Sequence, residues 1–205
     1  MAFKLESFVM GPVATNCYLL SGAEGDKAIV VDPPVAGEKI HELVKARGLS
    51  VCAILITHGH FDHIGGVNAL RDSSGAKVYA PEAEKEMLLD PSVNLSDEGC
   101  SVRADHYVKD GEELKIAGLD IRVIHTPGHT SGGCCYHLSK ETVLISGDTL
   151  FEGSVGRTDF PTGSSSALIR SIREKLMVLP DETKVYPGHG PETSIGEERK
   201  YNPFL

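Results

Sequence analysis

Apolar residues in this chain fall into short runs broken by Gly, Pro and Asp, and the runs alternate between two spacings. Val51-Cys52-Ala53-Ile54-Leu55-Ile56-Thr57 is continuously apolar and rich in β-branched residues, the pattern of a strand buried on both faces. Phe3 to Met10, Cys17 to Ser21 and Lys27 to Asp32 read as further strands, the last stopped by Asp32-Pro33-Pro34. Lys77 to Ala80, Gly133 to Leu138, Thr142 to Ser146 and Lys184 to Tyr186 read the same way. Glu113 to Ile116 and Asp120 to His125 flank Ala117-Gly118-Leu119 and predict a hairpin. Helical spacing takes over from Ala36 to Arg47, where Ile40, Leu43 and Val44 share a side and Gly48 closes the helix. It returns from Ile64 to Leu70, and from Pro81 to Leu89 with proline in the first turn. The longest such stretch is Ser164 to Leu179, with Leu168, Ile169, Ile172, Leu176 and Leu179 on one face. Asp90 to Ala104, rich in Ser, Asp and Gly, predicts a surface loop. Strands and helices alternate in two successive halves, which predicts a layered α/β protein with helices covering sheet faces.

At 205 residues the chain fits one domain, residues 1–205, large enough to bury a core without disulfides. Twenty Lys and Arg against 29 Asp and Glu give a net charge of −9. That balance argues against nucleic acid and anionic membrane as partners and leaves a small molecule. No apolar stretch approaches the roughly 20 residues of a membrane span. The start, Met1-Ala2-Phe3-Lys4, lacks the basic and apolar regions of a secretory signal. The five cysteines, Cys17, Cys52, Cys100, Cys134 and Cys135, are odd in number and form no Cys-x-x-Cys pair. They read as buried thiols of a cytoplasmic protein.

The chemistry concentrates directly after the buried strand, in His58-Gly59-His60-Phe61-Asp62-His63. Residues two apart on extended chain point the same way, so His58 and His60 can grip one ion. Asp62 and His63 come as the chain turns toward a helix and can face a second ion. Gly59 and the Gly65-Gly66 pair permit tight backbone approach around that turn. Imidazole with carboxylate suits zinc, iron or manganese rather than calcium. Downstream, His129, Asp148 and His189 each follow a strand and a glycine. Strand ends on one edge of an α/β architecture converge on one crevice, so these three can reach the same ions. Five histidines and two aspartates then make seven ligands for two divalent ions, with Asp148 as the natural bridge. His41, His106, His125 and His137 fit no such position and read as surface or structural residues. No Gly-x-Ser-x-Gly elbow is present, so no serine nucleophile is expected.

In this order, His58-Gly59-His60-Phe61-Asp62-His63, His129, Asp148 and His189 resemble the metallo-β-lactamase superfamily. The resemblance implies a four-layer αβ/βα sandwich with two sheets packed inside. It implies that His58, His60 and His129 hold one metal, that Asp62, His63 and His189 hold the other, and that Asp148 bridges them. Asn16-Cys17-Tyr18-Leu19, Thr126-Pro127-Gly128-His129-Thr130, Gly147-Asp148-Thr149-Leu150-Phe151 and Asn202-Pro203-Phe204-Leu205 are most similar to the glyoxalase II branch, the hydroxyacylglutathione hydrolases. Gly156-Arg157-Thr158-Asp159-Phe160-Pro161 is similar to the short, single-domain bacterial type II glyoxalases. Longer members continue past the Asn-Pro-Phe motif into a helical domain that helps hold glutathione, whereas this sequence stops at Leu205. The implied activity is hydrolysis of a thioester such as S-lactoylglutathione by a metal-bridging hydroxide, zinc first among the metals, with Asp62 or Asp148 orienting the nucleophile. Arg157 falls where longer members place a cation on the glutathione carboxylate, and Asp159 stands where they carry an aromatic. Arg199 and Lys200 are the other cationic candidates for substrate binding. The alternatives are a persulfide dioxygenase using one iron, whose members share the stretch at 156–160, and a lactone or other ester hydrolase.

Overall fold

Two six-stranded sheets lie face to face, and their construction follows the alternation of each strand. The computed structural model describes residues 3–23, 25–97 and 99–205; Met1, Ala2 and Glu98, which enter the readings of the start and of the 90–104 loop, lie outside them. The first sheet runs in order β1 (Lys4–Met10), β2 (Thr15–Ser21), β3 (Lys27–Val31), β4 (Ser50–Leu55), β5 (Lys77–Pro81) and β6 (His106–Val108). Its first two pairings are antiparallel and the rest parallel. The second sheet uses β7 (Glu113–Ile116), β8 (Leu119–His125), β9 (Cys134–Leu138), β10 (Val143–Gly147), β13 (Lys184–Pro187) and β14 (Thr193–Ser194), with β13 beside β10 in parallel. A small hairpin, β11 (Leu150–Phe151) and β12 (Ser154–Val155), stands apart. The α-helices are α1 (Gly37–Lys45), α2 (Phe61–Ile64), α3 (Val67–Ser74), α4 (Lys85–Leu89), α5 (Ser165–Ser171) and α6 (Ile195–Tyr201).

Strand alternation sorts the core into layers. Tyr18, Leu20, Ile29, Val31, Ala53 and Leu55 of the first sheet meet Ile121, Val123, Tyr136, Leu138 and Ile145 of the second. Their neighbours Leu19, Val30 and Ile54 point the other way, onto Ile40 and Val44 of α1 and Val67 and Leu70 of α3. Across the molecule, Cys135, Leu144 and Val185 pack on Leu168 of α5 and Ile195 of α6. Helix, sheet, sheet and helix therefore stack in the four-layer order that the resemblance implied.

Several boundaries differ from the sequence pattern, each for a local reason. The stretch 164–179 is not one α-helix. It begins at Ser164, whose Oγ accepts from the Ala167 amide, and after Ser171 widens into a π-helical turn over Ile172–Leu176, closed by Met177 N–H to Ile172 O at 2.9 Å. Ile172 and Leu176 still face the sheet. Pro81 ends β5, and a 3-10 turn at Glu82–Glu84 precedes α4. Gly65 and Gly66 split the helical pattern at 64–70 into α2 and α3 because the turn presses against Pro33-Pro34; a Cβ on Gly65 would lie 2.3 Å from the Pro34 carbonyl oxygen. The loop after Asp90 is anchored rather than laid on the surface, since Asn94 and Val102 are fully buried. Among the described residues no helix is long and apolar enough to cross a membrane. None of the cysteines is in a disulfide. Burial pushes the Cys135 thiol up to about 11, so it stays protonated and is no nucleophile at neutral pH.

Candidate metal centre

All seven predicted ligands come from one edge of the sandwich. His58 and His60 follow β4, His129 follows β8, Asp148 follows β10 and His189 follows β13. Asp62 and His63 sit in the first turns of α2, with His60 just before it in extended conformation. The edge is tied together by backbone. Asn16 N–H donates to Gly188 O at 2.7 Å and Cys134 N–H to Thr57 O at 2.9 Å, so the ligand loops of both sheets share hydrogen bonds. The Asn16 side-chain amide spans Pro187 O and Gly190 O, 2.9 Å each, around His189. Tyr18 donates to Pro187 O at 2.6 Å. Gly188 is required by space: a Cβ there would fall 2.1 Å from Asp148 Oδ1 and 2.7 Å from His63 Cε1.

Donor atoms gather in three overlapping groups, each with its atoms within 4.8 Å of one another: His58, His60 and His129; His58, His63 and Asp148; Asp62, His63 and His189. Asp148 connects the outer two. Its Oδ2 is 3.5 Å from His129 Nε2 and 3.6 Å from His189 Nε2, and its Oδ1 is 3.4 Å from His63 Nε2. Asp62 Oδ2 lies 3.2 Å from His189 Nε2 and 3.5 Å from His63 Nε2.

The arrangement fits cations. His58 Nε2, His60 Nε2, His63 Nε2 and Asp148 Oδ1 are buried and make no hydrogen bond, a costly state for polar atoms unless something binds them. His129 Nδ1 donates to Arg157 O at 2.7 Å, which turns its Nε2 lone pair inward, where it stands 2.9 Å from His60 Nδ1. Burial first, and the neighbouring imidazoles second, hold His58 well below the usual histidine range and His60 down to about 4. Both therefore offer neutral imidazoles to an ion at pH 7. Burial alone would raise the Asp62 and Asp148 carboxyls, but the surrounding histidines outweigh it and keep both ionised. His63 and His189 are shifted the other way: against the effect of burial, Asp148 and Asp32 raise His63 and Asp62 raises His189. The carboxylates thus demand positive charge, which divalent ions would supply.

Sequence reasoning missed the residues that aim these ligands. Asp32, read only as a strand stop, accepts from His63 Nδ1 at 2.9 Å and from the Thr57 amide and hydroxyl at 2.8 and 2.6 Å. Such a carboxylate fixes the ring orientation of a ligating histidine. Thr15 donates to Asp62 Oδ2 at 2.9 Å. Glu84 is fully buried and accepts from the Gly59 and Gly132 amides, 2.7 Å each, joining the loops that carry His58–His63 and His129. Glu84→Ala strands both buried donors and is expected to lower stability by about 2–4 kcal/mol, measured as a reduced denaturant midpoint at unchanged slope.

A cleft of about 420 Å3 opens beside the donors, walled by Val13, Phe61, Leu95, Phe151, Val155 and Phe160. Arg157 lines it, yet its guanidinium is held by Asp159 through two 2.8 Å hydrogen bonds and lies 3.9 Å over the Phe160 ring. Arg199 and Lys200 are not brought there. Arg199 donates to the Met177 and Leu179 carbonyls and pairs with Asp181, closing the chain after the π-helical turn. The Lys200 ammonium sits 4.7 Å over the Tyr201 ring. Of the remaining histidines, His125 Nε2 donates to Ser131 O at 3.2 Å and His106 pairs with Glu112, both outside the cluster.

Comparison with known proteins agrees with this geometry. The chain is 40% identical over 207 residues to the probable metallo-hydrolase YqgX of Bacillus subtilis, covering 98% of this chain and 97% of that one. It is 34% identical over 196 residues to the hydroxyacylglutathione hydrolase GloC of Haemophilus influenzae, covering 93% and 92%. Among solved structures, the BLEG-1 B3 metallo-beta-lactamase superposes with a TM-score of 0.93 at 40% identity over 98% of this chain and 99% of that one. A protein solved in a di-iron-bound form gives 0.84 at 35% identity over 98% and 100%. ETHE1 from Myxococcus xanthus gives 0.83 at 31% identity over 99% and 84%. The profile of the metallo-beta-lactamase superfamily matches residues 10–189, a span that holds every donor of the cluster, and the chain belongs to that superfamily.

Proposed function

We propose that this metallo-hydrolase cleaves an acyl thioester, with S-lactoylglutathione as the reference substrate. The observation that carries the proposal is the convergence of seven donors, several of them buried and without a hydrogen bond, beside an open, apolar-walled cleft. A structural metal site would be closed and four-coordinate; this one has donors for two ions and a face open to substrate. His58, His60 and His129 would hold one ion, Asp62, His63 and His189 the other, and Asp148 would touch both. When bound, such a pair supplies Lewis acidity for the substrate carbonyl and lowers the pKa of a coordinated water toward about 7.

The chain's own residues do the rest. Asp62 and Asp148 stay ionised at neutral pH and can orient an attacking water by accepting its hydrogen bond. Thr15 fixes the Asp62 carboxylate so that this orientation is kept. Phe61, Phe151 and Phe160 limit water at the mouth of the cleft. A thiolate leaves as a weak base, with a conjugate thiol pKa of about 8.5, so no dedicated general acid is needed. Relatives support the reading in different degrees: GloC carries the hydroxyacylglutathione hydrolase name, and the BLEG-1 likeness favours a second reading, β-lactam hydrolysis by the same centre. The absence of disulfides among the described residues supports a cytoplasmic setting.

The test is turnover of S-lactoylglutathione by the metal-loaded protein, set against a β-lactam, a lactone, and oxygen uptake with glutathione persulfide. Efficient thioester turnover without oxygen uptake is expected; turnover confined to the β-lactam, the lactone or the persulfide would replace the proposal. Arg157 is proposed to meet the substrate's carboxylate in competition with Asp159. The Arg157 partner, Asp159, is exposed and held down to about 2 by that hydrogen bond. Asp159→Ala is therefore expected to lower KM for S-lactoylglutathione by roughly two- to fivefold with little change in kcat, the size of effect an exposed ion pair allows.

A further inference from the structure

Beside the metal cleft lies a second cavity, about 450 Å3, lined by Pro12, Pro34, Val35, Phe61, Leu95 and Cys100 among others. Phe61, Asp62 and Leu95 line both cavities, so they form the boundary between them. Leu95 holds a left-handed backbone, φ 65°, a conformation that disfavours a branched side chain. It is kept there by its neighbour: Asn94 is fully buried, its carbonyl accepts from the Phe61 amide at 2.9 Å, and its side chain bonds Cys100 O and the Ser96 amide. The loop thus sets a bulky apolar residue at the threshold between the ligand-bearing turn of α2 and the second cavity. Among the described residues no Lys or Arg lines that cavity, whereas Asp62 and Asp97 do, so its chemistry rejects a carboxylate-bearing group.

We propose that this cavity is a second lobe of the substrate site, that it takes an uncharged, apolar substituent of the substrate, and that Leu95 determines how long a substituent passes. The inference rests on the proposed thioesterase reading and names the substrate class: thioesters whose variable end is an apolar chain. Continuity with the cleft and the apolar walls argue for that occupant, because each buried methylene adds to binding there.

The test uses the full-length, metal-loaded protein and a series of neutral acyl thioesters of N-acetylcysteamine, from acetyl to octanoyl. Pro12, exposed at the cavity rim, is replaced by Trp to fill the lobe, and Leu95→Gly widens the threshold while suiting the left-handed backbone. In the wild type kcat/KM is expected to rise with chain length. P12W should remove about tenfold of the octanoyl-to-acetyl ratio, with acetyl turnover within about twofold of wild type, and L95G should raise that ratio by a similar factor. The ratio is taken within each variant, so a partly unfolded preparation does not imitate it. Superimposable chain-length profiles in all three proteins would overturn the proposal. If the wild type hydrolyses no thioester, the thioesterase reading fails by itself, and binding of the neutral fluorophore N-phenyl-1-naphthylamine decides the cavity. Loss of that binding in P12W supports the lobe, and equal binding in P12W and wild type overturns it.

Discussion

Replacing His58 or Asp148 by alanine is expected to lower bound metal and turnover together, the latter by roughly a thousandfold or more, because losing a ligand exceeds the 10–100-fold typical of losing an outer partner. His58 belongs to two of the three donor groups, and Asp148 lies within 3.6 Å of donors on both sides. Either change would leave an ion bound there short of ligands. The fold itself should survive, since the apolar layers between and outside the sheets do not involve these side chains. Metal per protein by mass spectrometry and turnover on the same preparation check the prediction. Full activity with both ions retained would remove either residue from the centre.

The second large effect is expected at Asp32, a residue that touches no candidate ion. Its carboxylate holds His63 Nδ1 and both donors of Thr57, and all three residues are buried. Asp32→Ala is expected to weaken metal affinity by about 10–100-fold, with Asp32→Asn intermediate because an amide still accepts one of those bonds. The metal-free protein gives an independent readout. Folding raises the His63 pKa above its ordinary 6.5. Its contribution to stability is therefore complete below about pH 6.5 and fades as pH rises through the raised value. Asp32→Ala should accordingly cost the metal-free fold more at pH 6 than well above the raised pKa, seen as a pH-dependent gap between the two melting temperatures. A gap that widens with rising pH would contradict the assigned pair.

Much of the sandwich could be read directly. Continuous apolar runs such as 51–57 gave β4, and alternation in 119–125 gave β8, because one or both faces of these strands are buried. The hairpin at Ala117-Gly118 was legible because both residues take positive φ, as a tight turn between antiparallel strands requires. Strands of two or three residues, β6, β11, β12 and β14, are too short to display any alternation. Helix α6 did carry a signal that went unused: Ser194-Ile195-Gly196-Glu197 is a capping pattern, and the Ser194 hydroxyl accepts from the Glu197 amide at 3.3 Å. The candidate ligands were legible because imidazoles and carboxylates recur after strands and glycines. Asp32 and Glu84 were not, because each works through backbone amides or one ring nitrogen brought close only by the tertiary fold. Arg199 illustrates the converse: a cation near the sequence end offers no sign that two carbonyls and Asp181 already claim it.

The central claim is that two divalent ions sit side by side among these seven residues. Anomalous diffraction from crystals of the metal-loaded protein, collected at the absorption edges of zinc, iron and manganese, tests it most directly. Two adjacent peaks are predicted, one among His58, His60 and His129, the other among Asp62, His63 and His189, with Asp148 in contact with both. A metal-loaded crystal showing no peak in the cluster, or a single ion bound elsewhere, would contradict it.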